Sequence, residues 1–117
     1  MIRIIEQSRE FNEVEQYLMT IAPSIISIQN VENGEHITVN GILTFEDVKD
    51  NGETVDIMSI ITPEKQVYSC QSATFKRSIG DISTIMGDKP FTIIKISGKT
   101  KAGRDYINCV LDVDSLA

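Results

Sequence analysis

Between Glu35 and Thr62 apolar residues alternate with polar ones, and from Ser72 onward they recur every three or four positions. A change of period from two to about 3.6 restricts the chain to a strand-rich fold with a helix set between groups of strands. Ile37 and Val39 lead into Leu43 and Phe45. A second series follows Asp50-Asn51-Gly52-Glu53, with Val55, Ile57 and Ile61 on one face and Met58 and Ile60 on the other. Asn33-Gly34 and Asn51-Gly52 both carry the chemistry of tight hairpin turns. The predicted strands are therefore 24–32, 35–48 and 54–62, with extended chain resuming over 65–70 after the break at Pro63-Glu64. Gly41 interrupts the second strand, which predicts a bulge or sharp bend. Phe75, Ile79, Ile82 and Met86, spaced 4, 3 and 4, predict a helix that Gly87 ends, and Ile85 widens its stripe. Gly80 inside it costs about 1 kcal/mol relative to alanine, so this helix depends on packing. Two more strands, 90–97 and 104–113, are joined by the turn 98–103.

Ahead of these strands, Ile2 to Ile5 reads as a short strand and Ser8 as the N-cap of a short helix. Phe11, Val14, Leu18 and Ile21, spaced 3, 4 and 3, form its apolar stripe, with Tyr17 beside them. Glu10 and Glu13 suit its first turns, and Pro23 stops it. After this N-terminal segment the order is β-β-β-α-β-β. That is the order of the OB-fold, a small five-stranded Greek-key barrel whose strands use glycines or bulges to turn corners. The predicted class is mainly β with two helices. An α+β sheet covered by two helices is the competing architecture. At 117 residues, without repeats, low-complexity tracts or linkers, residues 1–117 read as one domain.

Charge is unevenly spread. The net charge is −6, yet residues 71–111 carry seven Lys/Arg against three Asp/Glu, while residues 1–70 carry four against twelve. The cations gather around Lys99-Thr100-Lys101-Ala102-Gly103-Arg104-Asp105-Tyr106. A polyanion site needs such local concentration, because clustered cations displace the counterions of phosphates. A lysine-rich turn that keeps a sheet end soluble accounts for the pattern equally well.

Strand faces decide where these cations point. In 90–97, Phe91, Ile93 and Lys95 share one face and Thr92, Ile94 and Ile96 the other. In 104–113, Arg104, Tyr106, Asn108 and Val110 stand opposite Ile107, Cys109, Leu111 and Val113. Taking the latter set as core, with Ile94 and Ile96 facing it, puts Lys95, Arg104, Tyr106 and Asn108 on the outer surface beside Lys99 and Lys101. There the cations would track phosphates, the tyrosine ring would stack a base of any identity, and Asn108 would bond a base edge or sugar. Ordinary cross-strand packing is the plain alternative for Tyr106. Phe45 and Tyr68 also lie on strands that OB-folds use for oligonucleotides. Phe45 falls in the apolar series and reads as core, while Tyr68 fits either role. Lys76 and Arg77, on the polar side of the predicted helix, either extend the groove or form a solvated face.

Other chemistries find little support. Cys70 and Cys109 have no CxxC spacing and His36 is the single histidine, so a zinc site lacks ligands and no metal or cofactor is expected. Two buried, reduced thiols in a cytoplasmic protein are the simplest account, with a disulfide left open. His36 stands alone at an exposed strand start. Asp47, Asp50 and Asp56 surround a hairpin whose turn chemistry explains the first two. Gly98-Lys99-Thr100 holds only the end of a phosphate-loop pattern, without its first glycine or a following helix. The expectation is a protein that is not an enzyme. No apolar run suits a membrane span, and charge within Met1–Glu6 comes too early for a signal peptide.

Two stretches, Tyr68-Ser69-Cys70-Gln71-Ser72-Ala73-Thr74-Phe75-Lys76-Arg77-Ser78-Ile79 and Lys101-Ala102-Gly103-Arg104-Asp105-Tyr106-Ile107-Asn108-Cys109, resemble small single-stranded-DNA-binding proteins of phages and mobile elements in Gram-positive bacteria. The resemblance covers about the C-terminal half. It implies non-enzymatic, metal-free binding and protection of single-stranded DNA during replication, in the host cytoplasm. The binding role carries over to Lys101, Arg104 and Tyr106, and then to Lys76 and Arg77. Unlike cellular single-strand-binding proteins, the chain has no Gly/Gln-rich tail or acidic-aromatic tip, ending Asp114-Ser115-Leu116-Ala117. That departure puts tail-mediated recruitment of replication enzymes in doubt. Replication proteins and further copies of the chain stay open as partners. The competing function is an acidic protein-interaction module or inhibitor, in which the −8 balance of residues 1–70 mimics DNA toward a basic host protein.

Overall fold

The structure, a computed structural model, describes residues 1–87 and 89–116. In chain order the elements are β1 (Ile2–Gln7), α1 (Glu13–Thr20), β2 (Ile26–Ser27), a 3-10 turn (Ile28–Asn30), β3 (His36–Val39), β4 (Gly41–Val48), β5 (Thr54–Ile61), β6 (Val67–Cys70), α2 (Ala73–Met86), β7 (Phe91–Lys99), β8 (Asp105–Leu111) and a 3-10 turn (Val113–Leu116). The chain is mainly β with two helices. Its strands form a five-stranded sheet ordered β1-β4-β5-β6-β2 and a three-stranded sheet ordered β3-β7-β8.

β3 and β4 are one extended run with only Asn40 between them, and they belong to different sheets. The bend falls where Gly41 interrupts the alternation. A side chain there is excluded by packing: a Cβ on Gly41 would sit 2.6 Å from the Phe11 ring. Asn51-Gly52 closes the β4–β5 hairpin with Gly52 at φ 85, a region costly for residues bearing a Cβ.

β4 and β5 are buried on both faces, as the double apolar series requires. On one side Leu43, Phe45 and Ile61 meet Phe11 and Met19, so α1 covers that face. On the other, Ile42, Met58 and Ile60 meet Ile37, Val39, Phe91 and Ile93 of the three-stranded sheet, with Phe75 and Ile79 of α2. Helix α2 begins at Ser72, whose hydroxyl accepts from the Phe75 N–H at 3.3 Å, and ends at Gly87 with φ 67.

The following expectations need correction. Among the described residues the strands do not close into a barrel: β8 pairs with β7 alone, and β2 with β6 alone. The strand over 24–32 shrinks to the two residues of β2, because the chain turns at Ile28 to bury that side chain completely. Asn33-Gly34 is a turn, but β2 lies parallel to β6 and not against β3, so it joins no hairpin. Finally, α1 starts at Asn12, not Ser8. The Asn12 side chain accepts from the Glu15 N–H at 2.8 Å while the Glu15 carboxylate accepts from the Asn12 N–H at 3.2 Å, a reciprocal cap. Ser8 instead bonds β4 through both its backbone and its hydroxyl. The later start turns Phe11, Glu15 and Met19 inward and leaves Val14, Tyr17 and Ile21 exposed. Ile85 is likewise exposed, outside the buried stripe of α2.

Candidate functional site

The β7–β8 hairpin carries the basic segment beyond the packed body. Register pairs Lys99 with Asp105, Gly98 with Tyr106, Ser97 with Ile107 and Lys95 with Cys109. At the tip Lys99 and Asp105 form an exposed ion pair at 3.0 Å. Lys101 and Arg104 are exposed and make no ion pair among the described residues. Tyr106 is 38% exposed, and its ring lies across Gly98: a Cβ at that glycine would come within 2.8 Å of the phenol oxygen. Gly98 thus leaves the space in which an aromatic ring lies flat over the strand.

One side of this hairpin overhangs a groove. Three adjoining hollows of about 340, 260 and 530 Å³ share Gln29 and Ile107 in their walls. They lie where the two sheets fail to join, between β8 and the strands β2 and β6. Toward β6 and α2 the walls are neutral and polar, with Ser27, Ser69, Gln71, Ser72 and Thr74. Toward the hairpin they include Asn33, Lys95, Ser97, Lys99 and Tyr106. Anionic side chains are scarce here, Asp105 being the carboxylate among these walls.

Lys95 is not on the outer surface. It is 4% exposed and lies with Phe91 and Ile93 on the buried face of β7. Its Nζ donates to the Val31 carbonyl at 2.7 Å. Its backbone N–H donates to the Glu35 carbonyl at 3.0 Å, and its own carbonyl accepts from the Gly34 N–H at 2.8 Å. The outer neighbours of Tyr106 and Asn108 are Gly98 and Ile96. Both faces of β7 carry isoleucine, so alternation alone permits either register, and the bulk of Phe91 against α2 and β3 decides it.

Asn108 also differs from expectation. Its side-chain oxygen accepts from the Ser78 hydroxyl of α2 and from the Cys109 N–H, so it fastens the helix to the edge of β8. Tyr68 is half-buried against the main core. Lys76 is half-buried and donates to the Asp56 carbonyl at 3.2 Å, while Arg77 is exposed on α2. The structure therefore brings Lys95, Lys99, Lys101, Arg104 and Tyr106 to one hairpin, and leaves Tyr68, Lys76 and Arg77 on other elements. Phe45 is buried at 3% exposure.

No family model, no curated protein and no solved structure matches this chain. The chemistry of the groove therefore rests on its own residues. Its walls supply hydroxyl and amide donors and acceptors, its hairpin side supplies Lys95 and the Lys99–Asp105 pair, and the Tyr106 ring lies beside it over Gly98. The groove residues Gln29, Asn33, Ser72 and Ser97 are not legible in the sequence, since isolated neutral polar residues carry no periodic signal. The run Ser69-Cys70-Gln71-Ser72, polar where a strand passes into a buried helix, is the available hint.

Acid–base and metal chemistry gain no support from the geometry. Among the described residues no three His, Cys, Asp or Glu side chains are grouped to hold a metal. His36 is not alone: its Nδ1 is 2.9 Å from an Asp112 carboxylate oxygen across the three-stranded sheet. Cys70 and Cys109 are buried free thiols. Burial pushes the Cys109 thiol up to about 12 and raises Cys70, so both stay protonated and poorly nucleophilic at neutral pH. Among the described residues no helix is long and apolar enough to cross a membrane.

Proposed function

We propose that this chain binds and protects single-stranded DNA without catalysis, by an open, OB-like arrangement in which the β7–β8 hairpin and the groove beneath it hold the strand. One observation carries the reading: an exposed tyrosine ring and the cations Lys101 and Arg104, which make no ion pair among the described residues, stand at the end of the hairpin whose strands wall a groove with neutral polar residues opposite. Unstacked bases present ring faces to an aromatic side chain and hydrogen-bonding edges to amides and hydroxyls, and their phosphates require cations at the rim. The bent β3–β4 run and the helix between β6 and β7 support the OB-like part. The resemblance in 68–79 and 101–109 supports a role in phage or mobile-element replication.

The test is fluorescence titration with oligo(dT), with duplex DNA as competitor. Tyrosine emission should fall on adding oligo(dT), and duplex should compete poorly. Contact with about four phosphates gives a log–log salt slope of roughly −3, at about −0.7 per phosphate. Tight binding indifferent to salt would sink the electrostatic part, and no binding would sink the whole. A second reading, an acidic interaction module, draws on the exposed row Val14, Tyr17 and Ile21 on and beside α1, flanked by Glu10 and Glu13. It gains ground only if oligo(dT) fails.

A further inference from the structure

Lys95 is a buried cation without an anion. Its residue is 4% exposed, its Nζ makes one hydrogen bond, to the Val31 carbonyl, and no carboxylate pairs with it among the described residues. Buried charges are otherwise paired in proteins, because removing an ion from water is costly unless an opposite charge faces it. In this chain the contrast is direct. Glu15, buried to a similar degree, has two cations at 3.0 Å, Arg9 and Lys65. Lys95 is also not sealed inside the core. It lines the hollow of about 530 Å³ under the hairpin, together with Gln29, Asn33, Ser97 and the Lys99–Asp105 ion pair.

An ammonium has three donors, and one is used. The backbone of the same residue is held by the 31–35 loop through both its N–H and its carbonyl. The charge is therefore fixed in position and has capacity left for an oxyanion entering from the groove. Lys99 stands four residues further along the same strand and lines the same hollow, but its charge is already paired with Asp105 at 3.0 Å, so Lys95 is the unpaired cation of this hollow among the described residues. Asn33 and Ser97, whose side chains bond each other at 2.7 Å, offer neutral groups at the same wall.

We propose that Lys95 is the seat of one phosphodiester: the backbone of the bound strand dips into the groove there, and the buried ammonium is completed by a phosphate oxygen. This inference rests on the single-strand reading and deepens it. The strand is anchored at a fixed interior charge, and the exposed hairpin cations Lys101 and Arg104 supply the remaining attraction.

The experiment follows the Lys95 Nζ and Cε resonances of isotope-labelled protein during titration with three probes. These are inorganic phosphate, an abasic deoxyribose-phosphate oligomer and oligo(dT). Saturable movement of the Lys95 resonances with both oligomers, with Lys49 on the β4–β5 turn unmoved, supports the seat. In parallel, Lys95→Met keeps most of the length of the side chain and removes the charge. It should weaken oligomer binding about tenfold and flatten the salt slope by about 0.7. If oligo(dT) binds while Lys95 does not move, the seat is wrong and single-strand binding stands. If no oligomer binds but inorganic phosphate moves Lys95, the nucleic-acid reading fails and the oxyanion seat stands. If nothing moves Lys95, the seat fails. Should Lys95→Met not fold, the wild-type resonances alone decide among these outcomes.

Discussion

Glu15 shows how a single side chain sets the course of an element. Its carboxylate accepts from Arg9 and Lys65 at 3.0 Å each and caps the start of α1, so an acidic residue occupies a buried position that periodicity would assign to an apolar one. The hydrogen bonds from Arg9, then Lys65, hold its carboxyl down at about 2, against an ordinary value of 4.5. Because the folded value lies below the unfolded one, this stabilisation is fully present above about pH 4.5 and is lost as pH falls toward 2. Glu15→Gln should lower stability by roughly 1–3 kcal/mol at pH 7, and by progressively less on acidification. Denaturant melts at pH 7 and pH 3 measure the difference; an equal loss at both would show that the ion pairs contribute nothing. A second residue-scale test concerns Gly98. Gly98→Ala should displace the Tyr106 ring while leaving the fold intact, since the obstacle is the end of a side chain. Its effect on oligo(dT) affinity should be in the same direction as that of Tyr106→Ala, which should lose about 1–3 kcal/mol of stacking. Unchanged affinity in both variants would remove Tyr106 from the site.

Among the elements, α2 is the one most legible from spacing and the one with an evident local weakness. Phe75 and Ile79 are fully buried and hold it to the core, while Gly80 is exposed and a Cβ added there would meet open space. Gly80→Ala should therefore stabilise the chain by about 0.5–1 kcal/mol, read as a rise of a few degrees in Tm. A fall would mean that a side chain at this position meets something in solution. For α1 the spacing of apolar residues finds the helix but not its rotation about its axis, because the cap at Asn12 and the ion pairs of Glu15 outweigh the pull of Val14 and Ile21. The glycine-rich turn predicts the hairpin β7–β8. It does not predict which side of β7 faces inward, since Phe91-Thr92-Ile93-Ile94-Lys95-Ile96 offers apolar residues on both faces.

At the scale of the molecule, two sheets share one bent run and leave an opening where, among the described residues, β8 and β2 each lack a second partner. That opening is the groove. A β2 as long as its isoleucines suggest would fill this space by backbone pairing. The burial of Ile28 and the turn after it keep the edge short. The same architecture makes Cys109 a sensitive point: it is 3% exposed, between α2 and the three-stranded sheet. Cys109→Asp should unfold the chain by burying a charge with no partner, whereas Tyr106→Ala should not. Far-UV circular dichroism of the two variants distinguishes these outcomes, and the reverse result would place the hairpin one residue out of register.

Local chemistry is sufficient for what depends on neighbours along the chain. Periodicity specifies the strands of 35–62 and the helix 73–86, Asn51-Gly52 specifies a hairpin, and Gly41 marks the bend. The clustering of cations at 99–104 is likewise visible without a structure. What only the tertiary structure decided is which partner each face meets. Lys95 became an interior charge because Phe91 and Ile93 claimed the core side of its strand, and Glu15 became buried because Lys65, fifty residues on, joined Arg9 against its carboxylate. The groove belongs to this second kind. Its walls come from β2, β6, α2 and the hairpin, segments far apart in sequence, and an opening between two sheets is a consequence of pairing that did not occur.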